Sequence, residues 1–173
     1  MTQASSPVES RRVREVRPST RLRPVKEFRV YRRNLPHWEL PGSIYFITFR
    51  TAEGFILSDE AKNIAFASIK FHSDKKYKLH ACVVMDTHIH IIVQPLEESL
   101  GTFYSLAQIM HSIKSYSAKQ IQRFLQRQGN IWLDENYDRI VRDDKEYLEK
   151  LNYIINNPLK AGVVEKPKDY RWL

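Results

Sequence analysis

His88-Ile89-His90 is the segment of this chain best suited to chemistry. It opens a run of β-branched residues, HIHIIVQP, and side chains along a strand alternate between faces, so residues two apart share one. Both imidazoles then point one way and Ile89 the other. Two neutral imidazoles side by side begin a divalent metal site. The plainer reading is a pair of partly exposed strand histidines, since so short a motif also arises by chance. Downstream, in YSAKQ, Tyr116 and Gln120 stand four apart, one helical turn, and share a face. Aimed at the histidines, Gln120 would add a neutral oxygen ligand and Tyr116 a hydroxyl nucleophile, with open metal positions left for substrate oxygens. The plainer readings are an aromatic packing at the edge of an apolar stripe and a surface amide.

These residues need elements to hold them. Residues 43–51 (SIYFITFRT) follow Pro41-Gly42 and are aromatic and β-branched, which predicts a strand. Residues 58–73 predict a helix capped by Ser58. Residues 77–85 and 89–95 predict a hairpin closed at Asp86-Thr87. Residues 100–128 predict a long helix with Leu106, Met110, Ile113, Ser117, Ile121 and Phe124 along one stripe. Residues 137–142 predict a short strand, and 143–157 a helix stopped by Asn156-Asn157-Pro158. Strand, helix, hairpin, helix, strand, helix implies an α+β fold: a ferredoxin-like antiparallel sheet covered by helices.

The chain has 173 residues, 28 Lys+Arg against 20 Asp+Glu, and a formal net charge of +8. Residues 1–34 hold ten basic and three acidic residues, a difference of +7; the other 139 hold 18 and 17, a difference of +1. The basic stretch is also rich in Pro, Ser and Thr and poor in large apolar residues. Residues 1 to about 27 are therefore expected to be a disordered basic arm, with 1–30 as the arm and 31–173 as the folded domain. An arm laid along phosphates and a solvated tail are both consistent with this. One cysteine, Cys82, excludes an intramolecular disulfide and suits a reducing compartment. No apolar run reaches membrane-spanning length and no apolar segment follows the N-terminal basic residues, so a cytoplasmic protein without membrane contact is expected.

At this point the residues resemble a family. RRNLPHW (32–38), YFITFR (45–50), VVMDTHIHIIVQP (83–95), IKSYSAKQIQ (113–122), IWLDENYDRIVRD (131–143), YIINNPLKAGVV (153–164) and DYRW (169–172) are similar, in this order, to segments of the REP-associated tyrosine transposases, part of the single-tyrosine HUH group. The resemblance implies that His88, His90 and Gln120 bind Mg²⁺ or Mn²⁺. It implies that Tyr116 attacks a scissile phosphate, giving a 5′-phosphotyrosine link and a free 3′-OH. Its implied partner is single-stranded or hairpin DNA from palindromic repeats, with the protein acting as a monomer or homodimer. Arg32, Arg33, Lys114, Lys119, Arg139 and Arg142 are candidate DNA contacts, although Arg139 and Arg142 also have Asp138, Asp143 and Asp144 as ion-pair partners within reach.

Two departures bear on the site. Asp86-Thr87 stands where the family commonly has Pro-Asn, and a turn-closing role is favoured over a metal ligand because Asp and Thr suit tight turns. Gln120 stands where the family often has Asn, whose shorter arm gives a different reach. The alternative to an enzyme is a non-catalytic hairpin-binding module on the same scaffold.

Overall fold

The computed structural model describes residues 29–32 and 36–173, with side chains from Glu39 onward. Residues 1–28 of the expected arm lie outside the described residues, as does Arg33. β1 (Arg29–Arg32) pairs antiparallel with β2 (Pro36–Glu39), so Arg29 and Val30 belong to a small hairpin.

The main sheet is built from β3 (Tyr45–Thr51), β4 (Tyr77–Val84), β5 (His88–Pro95) and β8 (Trp132–Ile140). Its order is β4-β5-β3-β8 and every neighbouring pair is antiparallel. This is the expected ferredoxin-like arrangement. α1 (Asp59–His72) links β3 to β4, and α2 (Leu106–Phe124) links β5 to β8. Right-handed crossovers in opposite directions put both helices on one face. There they pack together, with Ser68 Oγ bonded to the Ile113 carbonyl at 3.2 Å.

Alternation assigns each residue of the two central strands to a face. Tyr45, Ile47, Phe49, Ile89, Ile91 and Val93 are fully buried or nearly so, and they form the floor beneath α1 and α2. Phe46, Thr48, Arg50, His88, His90 and Ile92 point to the other face. The register pairs Thr48 with His90 and Arg50 with His88. α3 (Asp144–Ile155) covers that second face, followed by the single turn α4 (Asn157–Lys160).

Several boundaries move from expectation. α2 starts at Leu106 because Ser105 and Gln108 form a capping box there. The residues before it form a two-strand ribbon, β6 (Glu97–Ser99) with β7 (Thr102–Phe103), turning at Gly101, whose φ is +77°. β8 begins five residues earlier than expected, because Trp132 packs edge-on against Phe49 and extends the pairing past an irregularity. Ser58 caps α1 through a bond accepted from the Ala61 amide, as the sequence predicts. The C-terminal residues also close on the sheet. Tyr170 Oη donates to the Val84 carbonyl and Trp172 Nε1 donates to Asn63, 2.7 and 2.9 Å. Cys82 is buried, and burial pushes its thiol up to about 12, so it acts as a small apolar residue.

Candidate active site

The histidine pair forms as expected. His88 and His90 share a face of β5 with ring centroids 4.8 Å apart. His90 is 5% exposed, stacked on Phe46 (5.5 Å, planes 20° apart), and its Nδ1 shares a 2.7 Å hydrogen bond with Thr48 Oγ1. Burial first, then the neighbouring His88 and Arg50, push His90 down to about 3. Burial likewise lowers His88, opposed by the nearby Asn157 side chain. Both rings are thus neutral at ordinary pH, the form that ligates metal. His90 Nε2 is buried with no hydrogen-bond partner among the described residues. A buried ring nitrogen without a partner is costly unless something binds it.

The structure does not bring Tyr116 and Gln120 to this pair. Both lie on α2, which packs on the opposite face. The buried side of that helix is fixed there by Ser117, whose Oγ accepts from Trp132 Nε1 at 3.0 Å, while Trp132 rests on Phe49. The tyrosine beside the histidines is Tyr153, near the end of α3. Its ring centroid is 5.0 Å from His90 and 5.9 Å from Phe46. It is 40% exposed, so its hydroxyl is open to a ligand. Four residues on, Asn157 is buried, with its side chain near enough to His88 to favour the protonated ring. A tyrosine with a carboxamide at i+4 is the pattern expected at Tyr116 and Gln120, and it recurs here across the α3–α4 junction. The signal that separates the two in the sequence is the asparagine itself, within YIINNPLKAGVV.

Among the described residues no three His, Cys, Asp or Glu side chains gather to hold a metal. The groups that could hold a cation here are His88, His90 and the Asn157 carboxamide oxygen. The unpartnered His90 Nε2, the neutral rings and an adjacent amide suit a divalent cation that keeps open positions. Three cations surround the site: Arg50 next to His88, Lys150 with Nζ 5.2 Å from the Phe46 ring, and Lys160 with Nζ 5.6 Å from the Tyr153 ring. None was singled out from the sequence, because charges on a strand and two helix faces look solvated until the fold gathers them.

The other sequence candidates have different surroundings. Arg139 and Arg142 converge on buried Glu146, at 2.6 and 2.9 Å, rather than on Asp138, Asp143 or Asp144. Burial would raise the Glu146 carboxyl, but the Arg142 hydrogen bonds outweigh it and hold it below the usual range. Lys114 donates to the Asp134 carbonyl at the β8 side of α2. That places it beside a groove of about 500 Å³ lined by Met110, Trp132 and Asn136 and away from the histidines. Lys119 is exposed on α2, and of Arg32 the structure describes only the backbone, in β1. Asp86 pairs with buried Lys62 at 3.0 Å and its carbonyl accepts from the Leu57 amide, which ties down the hairpin turn ahead of His88.

The profile of the family described as "Transposase IS200 like" matches residues 46–157. A REP-associated tyrosine transposase of Escherichia coli K12 is 27% identical over 135 residues, 76% of this chain and 75% of the relative. A Haemophilus influenzae protein named for the same group is 27% identical over 142 residues, 75% of this chain and 77% of the relative. Among solved structures, a REP-associated tyrosine transposase bound to a REP hairpin superposes with a TM-score of 0.61 at 23% identity, covering 82% of this chain and 79% of that one. No helix among the described residues is long and apolar enough to cross a membrane.

Proposed function

The chain belongs to the IS200-like transposase family, and from that premise we propose that it cuts and rejoins single-stranded or hairpin DNA with Tyr153 as nucleophile. The observation that carries this reading is Tyr153 packed against His90 with the buried Asn157 side chain near His88. A divalent cation held by His88, His90 and Asn157, Mg²⁺ or Mn²⁺, would polarise the scissile phosphate when bound. The residues of the chain do the rest. Phe46 and His90, stacked on each other, both meet the Tyr153 ring edge-on and hold it beside the histidine pair. Arg50, Lys150 and Lys160 hold the phosphate charges and offset the charge that develops in the transition state. Tyr153 Oη gives its proton to solvent and bonds to phosphorus as the P–O3′ bond breaks, and the leaving O3′ takes a proton from solvent. The products are a 5′-phosphotyrosine and a free 3′-OH. The phosphodiester is conserved in the covalent link, so rejoining by attack of a 3′-OH needs no ATP.

An open site suits this substrate. A tyrosine on a helix cannot reach an in-line position inside an undisturbed duplex, whereas unpaired strand beside a hairpin can lie across the sheet. The test is incubation with hairpin-bearing single-stranded DNA and Mn²⁺, followed by a denaturing gel. A covalent adduct is expected with the wild type and with Tyr116→Phe, and none with Tyr153→Phe. An undiminished adduct with Tyr153→Phe overturns the assignment. Tight hairpin binding with no adduct from the wild type indicates a binding module, and cleavage without adduct a water-using phosphoesterase.

A further inference from the structure

Tyr116 has no part in the histidine site, yet its surroundings are not those of a packed helix edge. Its ring is 49% exposed and stacks on Phe71 of α1, with centroids 6.3 Å apart and planes 12° from parallel. Phe71 is 58% exposed, and so is Phe124 at 55%, two turns along α2. Between Tyr116 and Phe124 runs a groove of about 390 Å³, lined also by Ile64, Ala67, Gln120 and Arg123. Three large rings in one exposed row, rimmed by polar groups, mark a surface that something covers.

The charge around the row states what kind of partner fits. Lys75 Nζ sits 3.4 Å from the Phe71 ring centroid. Lys76 reaches across to Ser112 of α2 at 2.7 Å. Lys119 stands one turn beyond Tyr116, and Arg123 lines the groove. The acids of α1, Asp59 and Glu60, are confined to its first turn, and Asp59 is paired with Lys62. Asp74 accepts a bond from Ser73 in the turn that precedes Lys75. A second copy docking through this face would set the same cations against each other. A polyanion with flat faces meets both features, because bases stack on exposed rings while phosphates lie against the flanking cations. Tyr116 and Phe124 are eight residues apart, about 12 Å along the helix, room for about three stacked nucleotides.

We propose that the α1–α2 face is a second site for single-stranded DNA, in which unpaired bases stack on Phe71, Tyr116 and Phe124. It lies on the opposite face of the sheet from the histidines, so it holds strand flanking the cut and takes no part in bond breaking. The inference rests on the reading of the protein as one that handles single-stranded DNA.

The experiment uses the full chain and a short fluorescein-labelled oligothymidylate, which forms no hairpin, with binding followed by fluorescence anisotropy. The double variant Phe71→Ser/Tyr116→Ser is expected to bind roughly tenfold or more weakly, from the loss of two stacking partners. Tyr116→Trp alone is expected to keep or improve affinity, which a general folding defect would not do. Adduct formation on a hairpin substrate cut short at its flanks is expected to be equal in the double variant and the wild type. Unchanged oligothymidylate affinity in the double variant overturns the proposal. So does a wild-type dimer that the double variant loses while oligothymidylate affinity stays the same, which would assign the face to a second copy. Tyr153→Phe separates the two readings: oligothymidylate binding that survives there and still depends on Phe71 and Tyr116 supports this site whether or not the wild type forms an adduct.

Discussion

Thr48 decides which nitrogen of His90 is free for a ligand. Its hydroxyl shares a 2.7 Å hydrogen bond with His90 Nδ1, and Nε2 is left buried without a partner. For Nε2 to bind a cation, the ring proton must sit on Nδ1 and be donated to the Thr48 oxygen. Thr48→Val keeps the shape and removes the acceptor. It is expected to weaken Mn²⁺ binding by roughly ten- to a hundredfold, with Thr48→Ser close to wild type, in calorimetric titration. Equal affinity in all three proteins would show that the threonine only packs. The same reasoning explains why a pair of histidines is informative here and the isolated ones are not. His80 meets Tyr147 at 3.2 Å and has no second imidazole beside it among the described residues.

At the scale of elements, Ser117 joins α2 to β8. It is fully buried, donates to the Ile113 carbonyl at 2.6 Å and accepts from Trp132 Nε1 at 3.0 Å. Ser117→Ala leaves a buried indole N–H unpaired and is expected to cost about 1–3 kcal/mol of stability, measured by urea unfolding. A change under about 0.5 kcal/mol would mean that Trp132 finds another partner. This contact also explains what the sequence could and could not reveal. The stripe of Leu106, Met110, Ile113, Ser117 and Ile121 states that α2 is buried on one side, but not which face of the sheet lies beneath it. Strand alternation puts His88 and His90 together without further information. It also marks Ile89, Ile91 and Val93 as the more apolar face, where two crossover helices of the same hand must both pack. The histidine face is then left to the C-terminal helix. That step, and the asparagine four residues after Tyr153, were available in the chain. The Glu146 clamp on Arg139 and Arg142 was not, because only the first turn of α3, capped by Asp143, brings Glu146 back to both arginines.

For the whole molecule, one buried and three half-buried histidines make acid a destabilising condition. His72, His80, His88 and His90 all have their pKa values lowered, with burial the leading cause in each. In the unfolded chain each titrates near 6.5. Above that pH both states hold neutral rings and the histidines do not affect stability. As pH falls below 6.5 the unfolded chain takes up protons that the folded chain refuses, so stability declines toward the folded values, about 3 for His90. At pH 5 His90 alone contributes a loss on the order of 2 kcal/mol. Glu146, whose folded pKa is depressed, contributes stability that is lost only as pH drops below its unfolded value near 4.5. The interval from pH 7.5 to 5 therefore isolates the histidines. Urea unfolding of the metal-free protein at these two pH values is expected to show the loss, and His90→Asn to show markedly less of it. A wild-type stability that is flat across the interval would mean that His90 is protonated in the folded state, and its Nε2 would not be the free donor on which the metal site depends.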